Sequence, residues 1–291
     1  RHGLLEDGVV GPLTQYEMNV PAWERVRQIV LNLERWRWLP EDLGRRFILV
    51  NITDYALAVV EDGRRVLESR VVVGRSKRPT PVFTGTLSHL VLNPYWRVPR
   101  TIAVEDMLPQ LQKDPYALAR QNIRVFDAAA GREIDPGGVD WSRVNKHNFN
   151  FLLRQDPGPG NALGRIKFMF PNRHAVYLHD TSSPRLFNRN RRSYSSGCVR
   201  VSKAWDLAEY LLRDDPRWSR ETLQAAASGR REKTVHLPQK IPIHLMYWTA
   251  WVDDEGLAHF RNDIYKHDET LAQVLTATET VLHARAAESA M

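Results

Sequence analysis

The chain has very little cysteine, because Cys198 is the one thiol among 291 residues. No disulfide can form within the chain, so its fold depends on a buried apolar core, for which a chain of this length has ample material. The sequence also lacks any run of about 18 consecutive apolar residues, which a membrane-spanning helix needs. These absences exclude a disulfide-stabilised miniprotein and predict no membrane-spanning helix within these residues.

Several chemical motifs are absent as well. The histidines show neither His-Glu-x-x-His nor paired Cys–His spacing, so we predict no catalytic zinc, no other metal and no cofactor. A serine-hydrolase Gly-x-Ser-x-Gly elbow is missing too. The chain carries a net charge of +7, yet no predicted helix clusters Arg and Lys and no base-stacking motif accompanies the charge. Nucleic acid is therefore not a predicted partner.

The surroundings of Cys198 favour a reactive thiol. A lone cysteine is most often a small buried residue without reactivity. Cys198 instead follows a Ser-Ser-Gly turn, and four cations lie near it in sequence: Arg191, Arg192, Arg200 and Lys203. Cationic surroundings lower the pKa of a thiol. Because Gly197 permits a close backbone approach, we predict that the amides of Gly197 and Cys198 form an oxyanion hole.

A histidine at the end of a predicted strand can act as the base. Residues 175–179 alternate between polar and apolar, so Tyr177 and His179 should share one face of the strand. Thiol attack on a carbonyl needs such a base. Asp180 follows directly and should point to the opposite face. We therefore expect a backbone carbonyl, rather than the Asp180 carboxylate, to orient the imidazole.

Together these segments resemble a known family. A strand ends in Tyr177-Leu178-His179-Asp180-Thr181, and an arginine-rich loop leads to Ser195-Ser196-Gly197-Cys198-Val199-Arg200. The pattern resembles the L,D-transpeptidases of the YkuD family, most closely their long Gram-negative YcbB-like subgroup. Similarity extends over about residues 47–251, including residues 71–74, 78–81 and 93–96. Ser196 stands where many members carry histidine, which we interpret as a mark of the subgroup.

The resemblance implies an activity. Cys198 would attack the third residue of a peptidoglycan tetrapeptide stem and release the terminal D-alanine. An amine of a second stem would then take the acyl group, giving a 3→3 crosslink, with His179 as base and then acid. The implied partners are donor and acceptor stem peptides and β-lactams of the carbapenem class. The implied location is the Gram-negative periplasm.

Other residues near the motif have two interpretations each. Tyr177 and Trp96 could line the donor groove, although core packing is the commoner role for a tryptophan. Arg200 could bind a substrate carboxylate or brace the loop, and Ser196 is a further candidate for substrate binding. Residues 185–203 contain basic but no acidic side chains, and such a region attracts a polymer rich in carboxylates.

Two alternative functions remain open. A hydrolase with the same Cys–His pair would transfer the acyl group to water and cut peptidoglycan or protein–peptidoglycan links. A wall-binding protein without catalysis would not need Cys198 at all. The sequence does not separate these from a transpeptidase.

The resemblance also implies a fold and a domain order. We expect a mixed α/β fold, mainly β, with a YkuD-type β-sandwich catalytic domain, an inserted capping (lid) subdomain and flanking helices. The expected order is the tail of a peptidoglycan-binding-like module (1–20, which could also be a plain turn), a helical connector (21–45), the catalytic domain (46–252, with the capping insertion at 102–170) and a hairpin strand with a C-terminal helix (253–291). Because the chain starts at Arg1, we expect a longer protein whose upstream signal or membrane anchor is not included.

Periodicity locates the main elements. Strands are predicted at residues 47–51, 55–60, 66–74, 86–93, 241–252 and 257–260, with turn signals between them. Helices are predicted after Pro21, after Ser202 as N-cap, from Ser219 to Gly229 and from Glu269 onward. In the first of these, Val26, Ile29, Val30 and Leu33 should pack against the catalytic domain.

Overall fold

The computed structural model describes residues 1–229 and 231–277, and short β-strands dominate it after residue 45. In chain order the strands are β1 (Arg46–Asn51), β2 (Ala56–Glu61), β3 (Arg64–Gly74), β4 (Phe83–Leu92), β5 (Trp96–Arg97), β6 (Ile123–Asp127), β7 (Phe151–Gln155), β8 (Ile166–Met169), β9 (Leu178–His179), β10 (Ser193–Ser195), β11 (Val199–Val201), β12 (Lys233–Met246), β13 (Ala250–Val252) and β14 (Ala258–Phe260). The α-helices are α1 (Pro12–Asn19), α2 (Ala22–Trp36), α3 (Arg100–Ile102), α4 (Leu108–Leu111), α5 (Ala204–Leu212) and α6 (Arg220–Ala227). A π-helical segment, Ala103–Met107, joins α3 to α4, and residues 267–277 are also helical.

Nine strands form one sheet that closes on itself. Their order is β10-β3-β11-β9-β8-β4-β12-β1-β2, and β2 pairs in turn with β3. The apolar residues inside this sheet form the main core, in which α5 and α6 also bury their apolar faces. The predicted mixed α/β fold, mainly β, is confirmed. No helix in residues 1–229 and 231–277 has the length and apolarity to cross a membrane.

The segment between β4 and β8 forms a second, smaller unit. Its strands make a separate sheet in the order β5-β7-β6. It also has its own core, in which Leu111, Phe149 and Leu153 are buried. This unit begins at Trp96, earlier than the predicted residue 102, and β8 lies in the large sheet although the predicted insertion ran to residue 170. Its role as a cap stays a prediction.

Helix α2 contradicts the predicted packing of the connector. Val26, Val30 and Leu33 are 59%, 52% and 60% exposed. The opposite, polar face is the buried one, because Asn32 donates to Thr249 Oγ1 at 2.8 Å and the buried Arg35 pairs with Asp268 at 2.5 Å. Hydrogen bonds, an ion pair, the buried Leu31 and the stacking of Trp36 on Trp248 therefore hold this helix against the body, whereas most of the predicted stripe faces solvent.

Other element boundaries show which local signals were reliable. Ser219 caps α6 with a full capping box, as predicted. Ser202 does not cap α5, because its hydroxyl bonds Ser69 Oγ at 3.0 Å and the N-cap position falls on Lys203. The hairpin at residues 253–256 is confirmed as the β13–β14 turn. The strand predicted over 241–252 is broken, because β12 ends at Met246 and β13 starts anew.

The C-terminal helix starts at residue 267, two residues before the predicted position. Val274 lies within its described part and is 56% exposed. The rest of the helix predicted from Glu269 onward, including Val281 and Leu282, lies outside the described residues.

Gly74, at the end of β3, lets the following turn return close to the strand. We expect Gly74→Ala to destabilise the fold by about 1–3 kcal/mol, because a Cβ there would lie 2.7 Å from the Thr80 nitrogen. Gly138→Ala is the matched control, since nothing lies within 4 Å of its Cβ. Urea denaturation measures both variants. Equal midpoints for the two would contradict the packing argument.

Candidate active site

The loop before β11 holds Cys198 through two hydroxyl groups. Gly197 has φ +115°, which favours glycine. The buried Thr80 hydroxyl donates to Gly197 O at 2.8 Å and accepts from Gly74 N at 2.9 Å. On the other side, Ser195 Oγ donates to Cys198 O at 2.5 Å. The loop is therefore fixed from both flanks.

Of the two backbone N–H groups predicted to form the oxyanion hole, one already has a hydrogen-bond acceptor in this structure. The Gly197 N–H donates to Ser195 Oγ at 3.1 Å, so it is already occupied. Within the described residues, the Cys198 N–H has no hydrogen-bond acceptor. The Cys198 amide is thus the available donor, and recruitment of Gly197 would require its bond to Ser195 to break.

Strand register arranges the other side chains around the thiol. In the antiparallel β8–β9 pair Lys167 lies opposite His179, and in the parallel β9–β11 pair His179 lies beside Arg200. Tyr177 shares the face of His179 at a ring distance of 5.8 Å, as predicted. The Val199 N–H donates to Tyr177 O at 3.1 Å, which sets Cys198 next to Tyr177. His179 therefore lies between Lys167 on β8 and Arg200 on β11, two residues along the strand from Tyr177, the neighbour of Cys198.

The imidazole of His179 is oriented as expected. Its Nδ1–H donates to the Asp180 carbonyl at 2.5 Å, and the backbone of Leu163 also interacts with the ring in a way that favours its protonated form. In this tautomer Nε2 carries the lone pair that can accept a proton. The Asp180 carboxylate instead accepts from Arg165 N at 2.8 Å. Burial, reinforced by the charge of Arg200, lowers the pKa of His179 to about 3. The ring is therefore neutral at pH 7, as a general base must be.

The thiol of Cys198 is half-buried and protonated at rest. Burial raises its pKa, while hydrogen bonds from Tyr177 and the charges of Lys167 and Arg200 act in the opposite direction. The predicted contributions of Arg191, Arg192 and Lys203 are not found. In the described part of the chain no hydrogen bond joins Cys198 to His179, and the Sγ contact is Ala175 O at 4.0 Å.

The short form of β9 has a local cause. Ala175 has φ +53°, so the strand predicted over 175–179 begins only at Leu178. The Asn172 side chain holds this turn, because its Oδ1 accepts from His174 N at 3.0 Å and its Nδ2 donates to Val176 O at 2.8 Å. The turn places the Ala175 carbonyl oxygen 4.0 Å from Cys198 Sγ.

Arg78 connects the smaller unit to the loop that precedes β11 and holds Cys198. This guanidinium, 12% exposed, donates to Ser196 Oγ at 3.0 Å and pairs with Asp106 at 2.6 Å and with Glu105 at 2.5 Å. Asp106 also pairs with Arg75 at 3.2 Å. Ser196, predicted to bind substrate, is therefore engaged by Arg78, and both carboxylates come from the π-helical segment.

The predicted groove aromatics meet at the thiol. The side chains of Cys198 and Trp96 both act on the Tyr177 hydroxyl, and burial raises the pKa of Tyr177. Trp96 packs at the same time against the core of the smaller unit, and its place in a donor groove stays a prediction. Sequence reasoning missed Lys167, whose signal is a lone cation between apolar residues of β8, and gave no role to Thr80 or Arg78.

A family model, described as the YkuD L,D-transpeptidase catalytic domain, matches residues 45–222. This span contains both Cys198 and His179 and runs from before β1 into α6. The chain belongs to the YkuD family of L,D-transpeptidase catalytic domains.

Individual proteins similar to this YkuD-family chain include a curated Haemophilus influenzae protein that is provisionally named an L,D-transpeptidase. It is 36% identical over 245 residues, which are 84% of this chain and 49% of that protein. The chain therefore spans about half the length of the curated relative that it matches.

Solved L,D-transpeptidases show weaker similarity. One from Mycobacterium smegmatis is 14% identical, with a TM-score of 0.30, over 69% of this chain and 58% of that one. The E. faecium catalytic domain is 11% identical, with a TM-score of 0.30, over 71% of this chain and 100% of that one. An L,D-transpeptidase solved with imipenem is 12% identical, with a TM-score of 0.29, over 69% of this chain and 59% of that one. At these TM-scores the structures add nothing to the family assignment.

The protonated resting state of the Cys198 thiol predicts a specific pH dependence of its alkylation rate. Only the thiolate is alkylated, and burial raises the pKa of Cys198, so the rate of reaction with iodoacetamide should rise about tenfold per pH unit between about pH 6 and 8. Intact-protein mass spectrometry measures the rate, with Cys198→Ala as the background. A rate that is level across this range would indicate a preformed thiolate–imidazolium pair and contradict the prediction.

Proposed function

We propose that the protein is a peptidoglycan L,D-transpeptidase that makes 3→3 crosslinks through a thioester on Cys198. The observation that carries the proposal is the arrangement of the single thiol, with a free backbone N–H at Cys198 and a neutral imidazole on the same sheet face. Family membership supports peptidoglycan as the substrate. A wall substrate in turn favours an extracytoplasmic, periplasmic location.

The proposed first step is acylation. Cys198 Sγ bonds to the carbonyl carbon of the third stem residue as the thiol proton passes to His179 Nε2. The Cys198 N–H, joined by Gly197 once it leaves Ser195, stabilises the oxyanion. The intermediate collapses when the bond to the terminal D-alanine nitrogen breaks, and His179 returns the proton to that amine. The chain must first bring Sγ to Nε2, since the two groups are not hydrogen-bonded at rest.

The second step transfers the acyl group. The side-chain amine of a second stem attacks the thioester carbonyl, His179 takes its proton, and the restored thiol leaves. Water in place of the amine would give the hydrolase, which is the alternative function. Acylation by carbapenems belongs to the same proposal, because a strained lactam carbonyl reacts with the same thiol.

We also propose that the smaller unit caps this site, as in the YcbB-like subgroup. Two features support it: Arg78 joins Ser196 to Asp106, and the Trp96 side chain lies close enough to Tyr177 to lower the pKa of its hydroxyl against the effect of burial. A cap that excludes water favours the amine over hydrolysis.

Residues 1–20 are proposed as the tail of a peptidoglycan-binding-like module. Leu13, Tyr16 and Met18 of α1 are 59%, 62% and 75% exposed. A cluster of apolar side chains open to water is typical of a surface that meets another unit. The alternative is a plain turn followed by a surface helix, on which single exposed apolar residues are also common.

Two variants test the acyl-enzyme. Cys198→Ala should abolish both the carbapenem adduct and crosslinked products, and His179→Gln should slow acylation by about 100- to 10,000-fold. Mass spectrometry measures the adducts, and chromatography measures the 3→3 dimers made from tetrapeptide muropeptides. Adducts accompanied only by shortened stems would support the hydrolase. Wall binding that persists in Cys198→Ala, without any adduct in the parent, would support the non-catalytic alternative.

Asp106→Asn tests the cap. Loss of its ion pairs with Arg78 and Arg75 should shift the ratio of crosslinked to hydrolysed product toward hydrolysis by roughly 2- to 5-fold, as expected for about 0.4–1 kcal/mol from partly exposed ion pairs. Glu133→Gln is the matched control, because Glu133 pairs with Arg124 within the same unit at 3.1 Å. Equal product ratios in the two variants would contradict a role of Asp106 in closing the site.

A further inference from the structure

Two cations beside Cys198 have no acidic partner. Lys167 and Arg200 are half-buried, and among the described residues no carboxylate oxygen lies within 4 Å of either. The Arg200 Nε is buried without a hydrogen-bond acceptor. The Lys167 ammonium lies 4.0 Å from the centre of the Tyr177 ring. Glu232 and Arg97 influence Lys167 only at longer range.

Neighbouring arginines have oxygen partners for their terminal nitrogens, although the Nε atoms of Arg75 and Arg192, like that of Arg200, are buried without an acceptor. Arg75 and Arg78 pair with Asp106 at 3.2 and 2.6 Å. Arg192 donates to the carbonyls of Asp54 and Tyr55 at 3.4 and 3.3 Å. Burial of a charge without a partner is unfavourable. An anion that binds between Lys167 and Arg200 would lower the free-energy cost of burying these two charges. The pair is therefore a candidate anion site.

The position of the pair selects which anion can bind. Arg200 lies two residues beyond Cys198 on the same face of β11, a displacement of about 6.6–6.8 Å along the strand. Lys167 lies across His179 from it. When the thiol meets the scissile carbonyl, the next carbonyl carbon of the peptide is about one residue, or ~3.8 Å, further on. A stem that lies along β11 in the direction from Cys198 to Arg200 would bring this carbon toward the cation pair.

We propose that Lys167 and Arg200 form an anion site that binds the free α-carboxylate of the donor's terminal residue. The inference rests on the proposed function and deepens it, because the site would determine donor length. A stem that ends one residue after the acylated centre presents a carboxylate there. A stem longer by one residue presents an uncharged amide, which leaves both cations without a partner.

Binding of the carboxylate would also assist the base. Lys167 and Arg200 both face His179 and both disfavour its protonated form. A carboxylate between them offsets this positive charge at the moment when His179 must accept the thiol proton. Acylation would then be coupled to recognition of the correct stem end.

The test compares a tetrapeptide stem with its C-terminal amide. Wild-type protein should acylate with the free acid roughly 10- to 100-fold faster, the value of charge-assisted hydrogen bonds. Lys167→Met and Arg200→Met should bring this ratio towards one. The exposed Lys240→Met of β12 should keep the wild-type ratio. Both cations also favour the thiolate, so either methionine variant should slow acylation by the acid and by the amide alike. The ratio of the two rates is therefore the readout.

A third donor separates the two sources of carboxylate in the stem. Amidation of the diaminopimelate side-chain carboxyl, with the terminal carboxylate left free, should preserve fast acylation. A preference that follows the side-chain carboxyl would overturn the proposal, as would equal rates for acid and amide in the wild type. An unchanged ratio in both methionine variants would overturn it as well.

Calorimetry with Cys198→Ala distinguishes failure of the site from failure of the function. Tighter binding of the acid than of the amide, lost in Cys198→Ala/Lys167→Met, would support the anion site even if no stem acylates the parent protein. Acylation without discrimination would keep the transpeptidase and reject the site. Neither binding preference nor acylation would reject both.

Discussion

The parallel pairing of β9 with β11 is the contact on which the rest of the site depends. It sets Leu178 beside Val199 and His179 beside Arg200, so the two short strands present their functional side chains on one face. A slip of one residue would turn His179 into the core and Leu178 outward. The closed sheet opposes such a slip, because Leu178 and Val199 are fully buried within its core. Apolar packing on one face thus fixes the chemistry on the other.

The resting electrostatics follow from the same arrangement. Burial raises the pKa of the Cys198 thiol and lowers that of His179 to about 3. Both groups are then neutral at pH 7, and the surplus charge is positive, on Lys167 and Arg200. A site in this state is not self-activated. In the proposed reaction, a substrate would supply negative charge and bring the thiol to the imidazole.

Sequence reasoning succeeded where the signal is local. Alternation placed Tyr177 and His179 on one face, and the start of α6 after Ser219 and the turn at residues 253–256 were recognised from their residue types. It failed where a distant partner decides. The apolar stripe of α2 indicated a buried face, yet Asn32 and Arg35 find Thr249 and Asp268 more than 200 residues away and bury the polar face instead.

In the candidate site, too, features encoded by local sequence could be predicted, and features that depend on distant partners could not. The Cys–His pair and the carbonyl partner of His179 could be read from the motif, because each lies within or next to it. The occupied Gly197 amide, the place of Lys167 and the link from Arg78 to Asp106 could not. They depend on register and on a unit inserted between β4 and β8, which no local pattern encodes.

The way in which the smaller unit meets the catalytic loop bears on how it could open. Its own core is separate from that of the large sheet, so movement would not expose the main core. Much of the contact at the loop is ionic, and the carboxylates of Glu105 and Asp106 are 62% and 37% exposed. Ion pairs of this exposure contribute little and weaken with salt. If this unit is the proposed cap, ion pairs of this kind would let it leave and return at small free-energy cost, as the proposed exchange of a leaving group for an acceptor would require. A hydrophobic seal over the thiol would exclude water better, but it would also keep the acceptor stem out.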